Sequence, residues 1–291
     1  MKLFAFGLGY SALYFIARFG EGFDQIAGTV RSEAKAAGLR EASLEPFVFG
    51  PEHVDPTIGD RLAESDVLLV SVPPGVSVDP VLARFGRHIA GNRREQKIIY
   101  LSTIGVYGDR QGQWVDETRL ATPNSERSTA RLHAERAWSA IAKDRTKKLH
   151  ILRLAGIYGP GRNALVNLAA GTAKRIVKPD QVFNRIHVED VARTIAAALA
   201  YRGESDIWNV SDDEPAPPQD VVTFAARLMG KEPPPEQDFE SAELTPMGRS
   251  FYNENKRASN RKLKEELGVE LAFPTYREGM NALWEAGEGR D

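Results

Sequence analysis

The 291-residue sequence contains no cysteine. That absence excludes disulfides, thiol nucleophiles and thiolate-held metals. The five histidines are scattered, with no pair at ligand spacing, so no histidine metal site is expected. No apolar run reaches the roughly 18 residues of a membrane-spanning helix. Charge of one sign is also lacking: 38 Lys and Arg against 40 Asp and Glu leave a formal net charge of −2. Nothing in that balance points to nucleic acid or to an anionic membrane as a partner. Met1 runs directly into strand-like sequence, which leaves no room for a signal peptide, and a cytoplasmic location is expected. Apolar residues at 42% and charged residues at 27% suit a soluble globular chain, either one large α/β domain or two unequal ones.

What is present begins at Lys2. Residues 2–12 read Lys-Leu-Phe-Ala-Phe-Gly-Leu-Gly-Tyr-Ser-Ala, a strand-like run entering Gly7-x-Gly9-x-x-Ala12. A helix-like segment opens at Tyr10 and Ser11, continues to Phe19 and stops at Gly20. Strand, glycine turn and helix in that order are the context a dinucleotide fingerprint requires. Gly7 allows a tight turn, Gly9 lets backbone approach a pyrophosphate, and Ala12 lets the helix pack close to the strand. The helix N-terminus offers unpaired N–H groups and a partial positive charge to the phosphates.

Strand-like and helix-like segments alternate through the first two thirds. Strands are expected at Leu3–Phe6, Gln25–Val30, Phe47–Phe49, Val67–Val72, Lys97–Leu101 and His150–Leu154. The runs beginning at Val67 and Ile98 are short and continuously apolar, as buried parallel strands are. Asp79 before Pro80 reads as a helix N-cap. Helices are expected over Glu126–Ala142 and Val188–Tyr201. The expected fold is therefore α/β, a Rossmann-type doubly wound parallel sheet. Residues 1–160, completed by 186–210, would form the dinucleotide-binding domain. Ser211–Gln219 is acidic and proline-rich and the tail beyond it is mixed; residues 161–185 and 211–291 would form a smaller substrate-binding lobe. Within it, Asp220–Met229 reads as a helix before Gly230, Asn260 as a possible cap, Gly268 as a stop, and Thr275 with Glu278 as a capping box.

The second strand ends Gly28-Thr29-Val30 and is followed by Arg31 and Ser32, with no carboxylate at the strand end. NAD would use an acid there, whereas a planar guanidinium suits a 2′-phosphate. Arg31 and Ser32 thus favour NADP(H), and Glu33 leaves NAD open. Ser71 to Gly75, Ser-Val-Pro-Pro-Gly, follows the fourth strand where Ser71 and Pro73 would border the cofactor.

Later segments resemble a family. These are Leu101-Ser-Thr-Ile-Gly-Val-Tyr-Gly108, Leu152-Arg-Leu-Ala-Gly-Ile-Tyr-Gly-Pro-Gly161, Arg185-Ile-His-Val-Glu-Asp-Val-Ala192, Trp208-Asn-Val, Asn260-Arg-Lys-Leu-Lys and Tyr276-Arg-Glu-Gly. With Gly7, Gly9 and Ala12 they are similar to the extended short-chain dehydrogenase/reductases, the NAD-dependent epimerase/dehydratase family, and closest to its atypical members. The resemblance implies a nicotinamide cofactor, a small-molecule substrate such as a nucleotide sugar, and a homodimer formed through helices near residues 80–90 and 126–142. It also implies a Ser or Thr, a Tyr and a Lys acting together. Thr103 falls on the hydroxyl position. Glu135 sets the register of the next helix, which places Arg127 where the Tyr would be and Arg131 where the Lys would be.

Arginine keeps its proton and cannot serve as a general acid or base near neutrality. Arg131 could still donate to ribose hydroxyls, and Arg127 could bind an anion. Tyr107 is the best substitute for the missing acid and is expected to line the pocket. Tyr158 is expected to pack, and His133 to lie on another face of its helix. His187 and Asp190 read as stabilising a loop and a helix start. Lys174, Arg175 and Arg185 read as a solvated basic face. The family's phosphate-binding arginine would fall at Phe183, two residues before Arg185. Two functions stay open: an NADP(H)-dependent oxidoreductase or epimerase, or a non-catalytic NADP(H)-binding redox sensor.

Overall fold

The computed structural model describes residues 1–42, 44–143 and 146–290. They form two compact units. One comprises Met1–Thr103, Glu126–Arg153 and Ala192–Trp208; the other comprises Ile104–Ser125, Leu154–Val191 and Asn209–Asp291. Among the described residues no helix is long and apolar enough to cross a membrane.

The first unit is built on a seven-stranded sheet. Its strands are β1 (Lys2–Phe6), β2 (Gln25–Val30), β3 (Glu45–Val48), β4 (Val67–Val70), β5 (Gln96–Thr103), β6 (Lys147–Leu154) and β7 (Asp206–Val210), and their order is β7-β6-β5-β4-β1-β2-β3. The pairings of β1 with β2 and β4, of β2 with β3 and of β4 with β5 are parallel. The order reverses direction between β1 and β4, which is where doubly wound sheets bind ligands. Continuous apolar character in β4 and β5 has the expected cause: Val67 to Val70 and Ile98 to Tyr100 are all buried. Phe4, Phe6, Phe85, Tyr100 and Trp138 anchor the core cluster.

The sixfold strand expectation holds with shifted ends. β3 begins two residues early and stops before Phe49, which leaves the ladder to bridge Val54. Pro46 is tolerated because β3 is an edge strand. β4 ends at Val70, and Ser71 N–H then donates to the Phe6 carbonyl. The helix Pro80–Gly91 starts as expected, with Asp79 accepting from Val81 and Leu82 N–H.

The second unit carries short paired strands and the helices Pro218–Leu228, Pro246–Phe251, Arg261–Leu267 and Tyr276–Glu285. Gly268, at φ +64°, ends its helix in the left-handed conformation. The Thr275 and Glu278 capping box is formed. Asn260 departs from expectation: it stands at the cap position, but its amide donates to Ser211 O and Asp213 Oδ1.

Candidate functional site

In the first unit the glycine turn sits at the carboxyl end of β1, at the switch point of the sheet. Gly7 has φ +93°, a conformation only glycine adopts without strain. A Cβ there would also lie 2.8 Å from Ser71 Oγ. Gly7 N–H donates to Thr29 Oγ1 at 2.9 Å, and Ser71 Oγ donates to Gly7 O at 2.7 Å. Gly9 differs in kind. Its φ is −100°, and beyond its own chain neighbours a Cβ would meet no protein atom within 4 Å. No side chain caps the helix Tyr10–Phe19 that Gly9 precedes, and Ala12 in its first turn is fully buried. The space beside Gly9 and the uncapped helix start fit a pyrophosphate.

Ser71 therefore shapes the turn through its hydroxyl, a role its place in the sequence did not disclose. Thr29 was likewise missed. Its signal was a hydroxyl residue inside the otherwise apolar stretch Ile26–Val30, and it is 2% exposed. Pro73 is exposed beyond β4. Tyr10 and Ser11 are half-buried at the helix start.

Arg31 and Ser32 are exposed just past the end of β2. Glu33 pairs with Arg40 at 2.5 Å, and that hydrogen bond lowers the Glu33 carboxyl below its ordinary range. Ser32 caps the helix Glu33–Arg40 through Lys35 N–H at 3.5 Å.

At the end of β5, Thr103 is half-buried. Arg131 Nη1 donates to Leu101 O at 3.0 Å and to Tyr100 Oη at 3.1 Å, with its guanidinium 5.5 Å from the Tyr100 ring centre. Arg131 is thus fixed on the strand that carries Thr103, two residues short of it. Burial pushes the Tyr100 hydroxyl up to about 12, so it stays a neutral acceptor. Arg127 and His133 are exposed on the helix Glu126–Ile141.

Three buried groups lock that helix to the sheet. Ser102 Oγ donates to Glu135 Oε1 at 2.5 Å, and Arg153 binds both Glu135 oxygens at 3.1 and 2.7 Å. Sequence reasoning used Glu135 only for register and Arg153 only as part of a motif. A lone buried glutamate on an alanine-rich helix implied a buried cation, but the partner lies 18 residues away.

In the second unit Tyr107 is fully buried, and its hydroxyl donates to Asn209 Oδ1 at 2.8 Å. A phenol in that position lines no open pocket, contrary to the expectation placed on it. Asn209 N–H donates to Glu117 Oε1 at 2.6 Å, so Tyr107 and Glu117, in the same unit, together hold Asn209. Tyr158 packs, as expected: it is buried against His187, with ring centres 5.1 Å apart.

His187 Nδ1 accepts from Glu189 N–H, and burial lowers the imidazole to about 4. Asp190 accepts from Ala272 and Phe273 N–H at 2.6 and 3.1 Å. Both residues stabilise backbone. Asp212 is 1% exposed, its Oδ2 has no hydrogen-bond partner, and burial pushes its carboxyl up to about 8. Arg185 lies nearby, and desolvation lowers its guanidinium.

The profile of the NAD dependent epimerase/dehydratase family matches residues 87–211. Protein YeeZ of Escherichia coli (strain K12) is 30% identical over 231 residues, covering 72% of this chain and 77% of that protein. A conserved protein of unknown function from Silicibacter pomeroyi DSS is 44% identical in its solved structure, with a TM-score of 0.87 over 99% of both chains. The structure of UDP-glucuronic acid 4-epimerase from Bacillus cereus in complex with NAD has a TM-score of 0.77 at 16% identity, over 100% of this chain and 99% of that one, a likeness of fold. The glycine turn, the sheet order and these relatives agree, and the chain belongs to the NAD-dependent epimerase/dehydratase family.

Proposed function

We propose that the chain binds a nicotinamide dinucleotide, NADP(H) in preference to NAD(H), and acts in the cytoplasm as an oxidoreductase or epimerase on a small polar or nucleotide-sugar substrate. The observation that carries this reading is the pair of glycines. Gly7 is required by its backbone and by Ser71, whereas a Cβ at Gly9 would stand in open space. A glycine kept beside open space and an uncapped helix suits a bound diphosphate.

Gly7, Gly9, Tyr10, Ser11 and Ala12 would hold the pyrophosphate, Arg31 and Ser32 the 2′-phosphate, and Ser71 and Pro73 would border the ribose. Arg131, fixed by Leu101 and Tyr100, would offer its remaining N–H groups to the nicotinamide ribose. When bound, the cofactor supplies hydride exchange. Thr103 would donate or accept a hydrogen bond at the reacting oxygen. Because Tyr107 is committed to Asn209, the proton would move through water. Residues 161–185 and 211–291 would receive the substrate.

We infer a second reading from the resemblance: with Arg127 and Arg131 taken as standing at the family's Tyr and Lys positions, a non-catalytic NADP(H)-binding sensor would retain the fold without the proton donor. Mass spectrometry of small molecules retained by gently purified protein separates the two. A dinucleotide with a second metabolite supports an enzyme. A dinucleotide alone, with no turnover across a carbonyl panel, supports the sensor. Calorimetry with NADPH and NADH that registers no heat defeats both.

A further inference from the structure

Arg131 is held by one nitrogen and open at its other edge. Its Nη1 donates to Leu101 O at 3.0 Å and to Tyr100 Oη at 3.1 Å, which uses both hydrogens of that nitrogen. Among the described residues its Nε and Nη2 have no acceptor, and neither is sealed from solvent. The Nε–H and one Nη2–H of a guanidinium lie parallel, so the open edge is a fork of two donors. The post that carries it is rigid. Tyr100 is fully buried, with its ring centre 6.1 Å from that of Trp138. Trp138 Nε1 donates to Asp79 Oδ2 at 3.2 Å, and Asp79 caps the helix Pro80–Gly91. Arg131 and Trp138 are seven residues apart on the helix Glu126–Ile141, hence on one face of it, and both meet Tyr100.

We propose that Tyr100 is a positioning residue, fixing the Arg131 guanidinium so that its open edge meets the two hydroxyls of the ribose that carries the nicotinamide. The proposal rests on the reading that the chain binds a nicotinamide dinucleotide, and it names what orients one contact of that site. The sheet register places the post. Phe6, the residue before Gly7, pairs with Val70, and Val70 pairs with Tyr100. Tyr100 thus stands level with the glycine turn, two strand spacings or about 10 Å across the sheet. The strand order reverses between β1 and β4, and a dinucleotide lies across such a point with one nucleotide on each side. With the diphosphate at Gly9 and the 2′-phosphate at Arg31 beyond β2, the other nucleotide falls over β4 and β5, where Arg131 is anchored. Vicinal hydroxyls present two acceptors side by side, the pattern a two-donor fork meets. Without Tyr100 Oη the guanidinium keeps only Leu101 O and is free to turn about that bond. A ligand then has to remove that freedom on binding.

The test is calorimetric titration with NADPH and with 2′,5′-ADP, which lacks the nicotinamide and its ribose. Tyr100→Phe keeps the ring and removes the hydroxyl. It should weaken NADPH about three- to tenfold and leave 2′,5′-ADP within about twofold. A merely structural role would move both ligands together or neither, and either result overturns the proposal. Arg131→Met should weaken NADPH about tenfold and spare 2′,5′-ADP. Adding Tyr100→Phe to it should cost nothing more, because the post then holds nothing, and additive losses overturn the proposal. If Tyr100→Phe does not fold, Arg131→Met decides alone: equal effects on the two ligands, or none, overturn the placement. NADH and ADP replace the pair if the wild type binds NADH more tightly. Wild-type protein that binds neither dinucleotide defeats the cofactor reading and this proposal together, whereas a wild type that binds and a Tyr100→Phe protein that binds equally well defeat the positioning role alone.

Discussion

Ser71 donates its hydroxyl to the Gly7 carbonyl at 2.7 Å, while the Gly7 N–H is taken by Thr29 at 2.9 Å. The turn is therefore held from β2 on one side of β1 and, on the other, from the residue just past β4. The two glycines should separate in their response to alanine. Gly7→Ala forces φ +93° on a side chain and drives its Cβ to 2.8 Å from Ser71 Oγ. A loss of about 1–3 kcal/mol in urea denaturation is expected. Gly9→Ala meets no protein atom and should lose less than about 1 kcal/mol. Its NADPH affinity should nevertheless fall about tenfold or more, because the methyl occupies the approach to the pyrophosphate. A Gly9→Ala protein that binds NADPH like the wild type would remove the diphosphate from that turn.

Asp212 should make the protein less stable as pH rises. Its carboxyl is raised by burial from 3.8 to about 8, opposed by Arg185. Between those values the folded state holds a proton that the unfolded state has released. Stability therefore falls through the window from about pH 4 to about pH 8 and then levels off. Asp212→Asn keeps the shape without the charge. Its advantage over the wild type should grow across that window to a few kcal/mol and stay constant above it. Urea midpoints at pH 5, 7 and 9 measure this, and a constant difference between the two proteins would contradict it.

Several elements were legible because their signals are local. The run Val67-Leu-Leu-Val, the Asp79-Pro80 start, the Thr275 and Glu278 box and the Gly268 stop each depend on neighbours within one turn or strand. The candidate site was legible only as a set of positions. Tyr107 stands where a substitute acid would be wanted, but its hydroxyl belongs to Asn209, 102 residues away. Ser71 borders the expected cofactor, yet its hydroxyl belongs to Gly7, 64 residues back. Lys174 and Arg175 read as surface charge until the carbonyls of Glu243 and Pro234 are brought to them. Pairings of that length are set by topology, and no window of sequence contains both partners.

Glu135 should be the costliest polar residue to remove from the first unit. Its carboxylate is shared by Ser102 and Arg153, all three at 5% exposure or less. Glu135→Ala leaves the Arg153 guanidinium buried without its anion, and a loss of about 3–5 kcal/mol is expected. Ser102→Ala removes one hydrogen bond and should cost about 1 kcal/mol. In a double-mutant cycle the two losses should not add, because Ser102 has no acceptor once Glu135 is gone. Additive losses would mean that Ser102 finds its partner elsewhere.

Coenzyme choice should turn on Arg31 and on what restrains Glu33. Arg31 is exposed at the end of β2, and the carboxylate two residues on is occupied by Arg40 at 2.5 Å. In that state the strand end presents a cation and no free acid, which suits a 2′-phosphate and gives a 2′-hydroxyl no acceptor. Arg31→Ala should weaken NADPH about tenfold and leave NADH almost unchanged, since only the phosphate is lost as a partner. Arg40→Ala releases Glu33 and should shift the ratio in the same direction by a smaller factor, through repulsion of the phosphate and a new acceptor for the hydroxyl. Both shifts should shrink as salt is raised, because the groups are exposed and their charges are screened. Wild-type protein that binds NADH more tightly than NADPH, with a ratio untouched by Arg31→Ala, would assign the coenzyme to NAD and return Arg31 to the solvent.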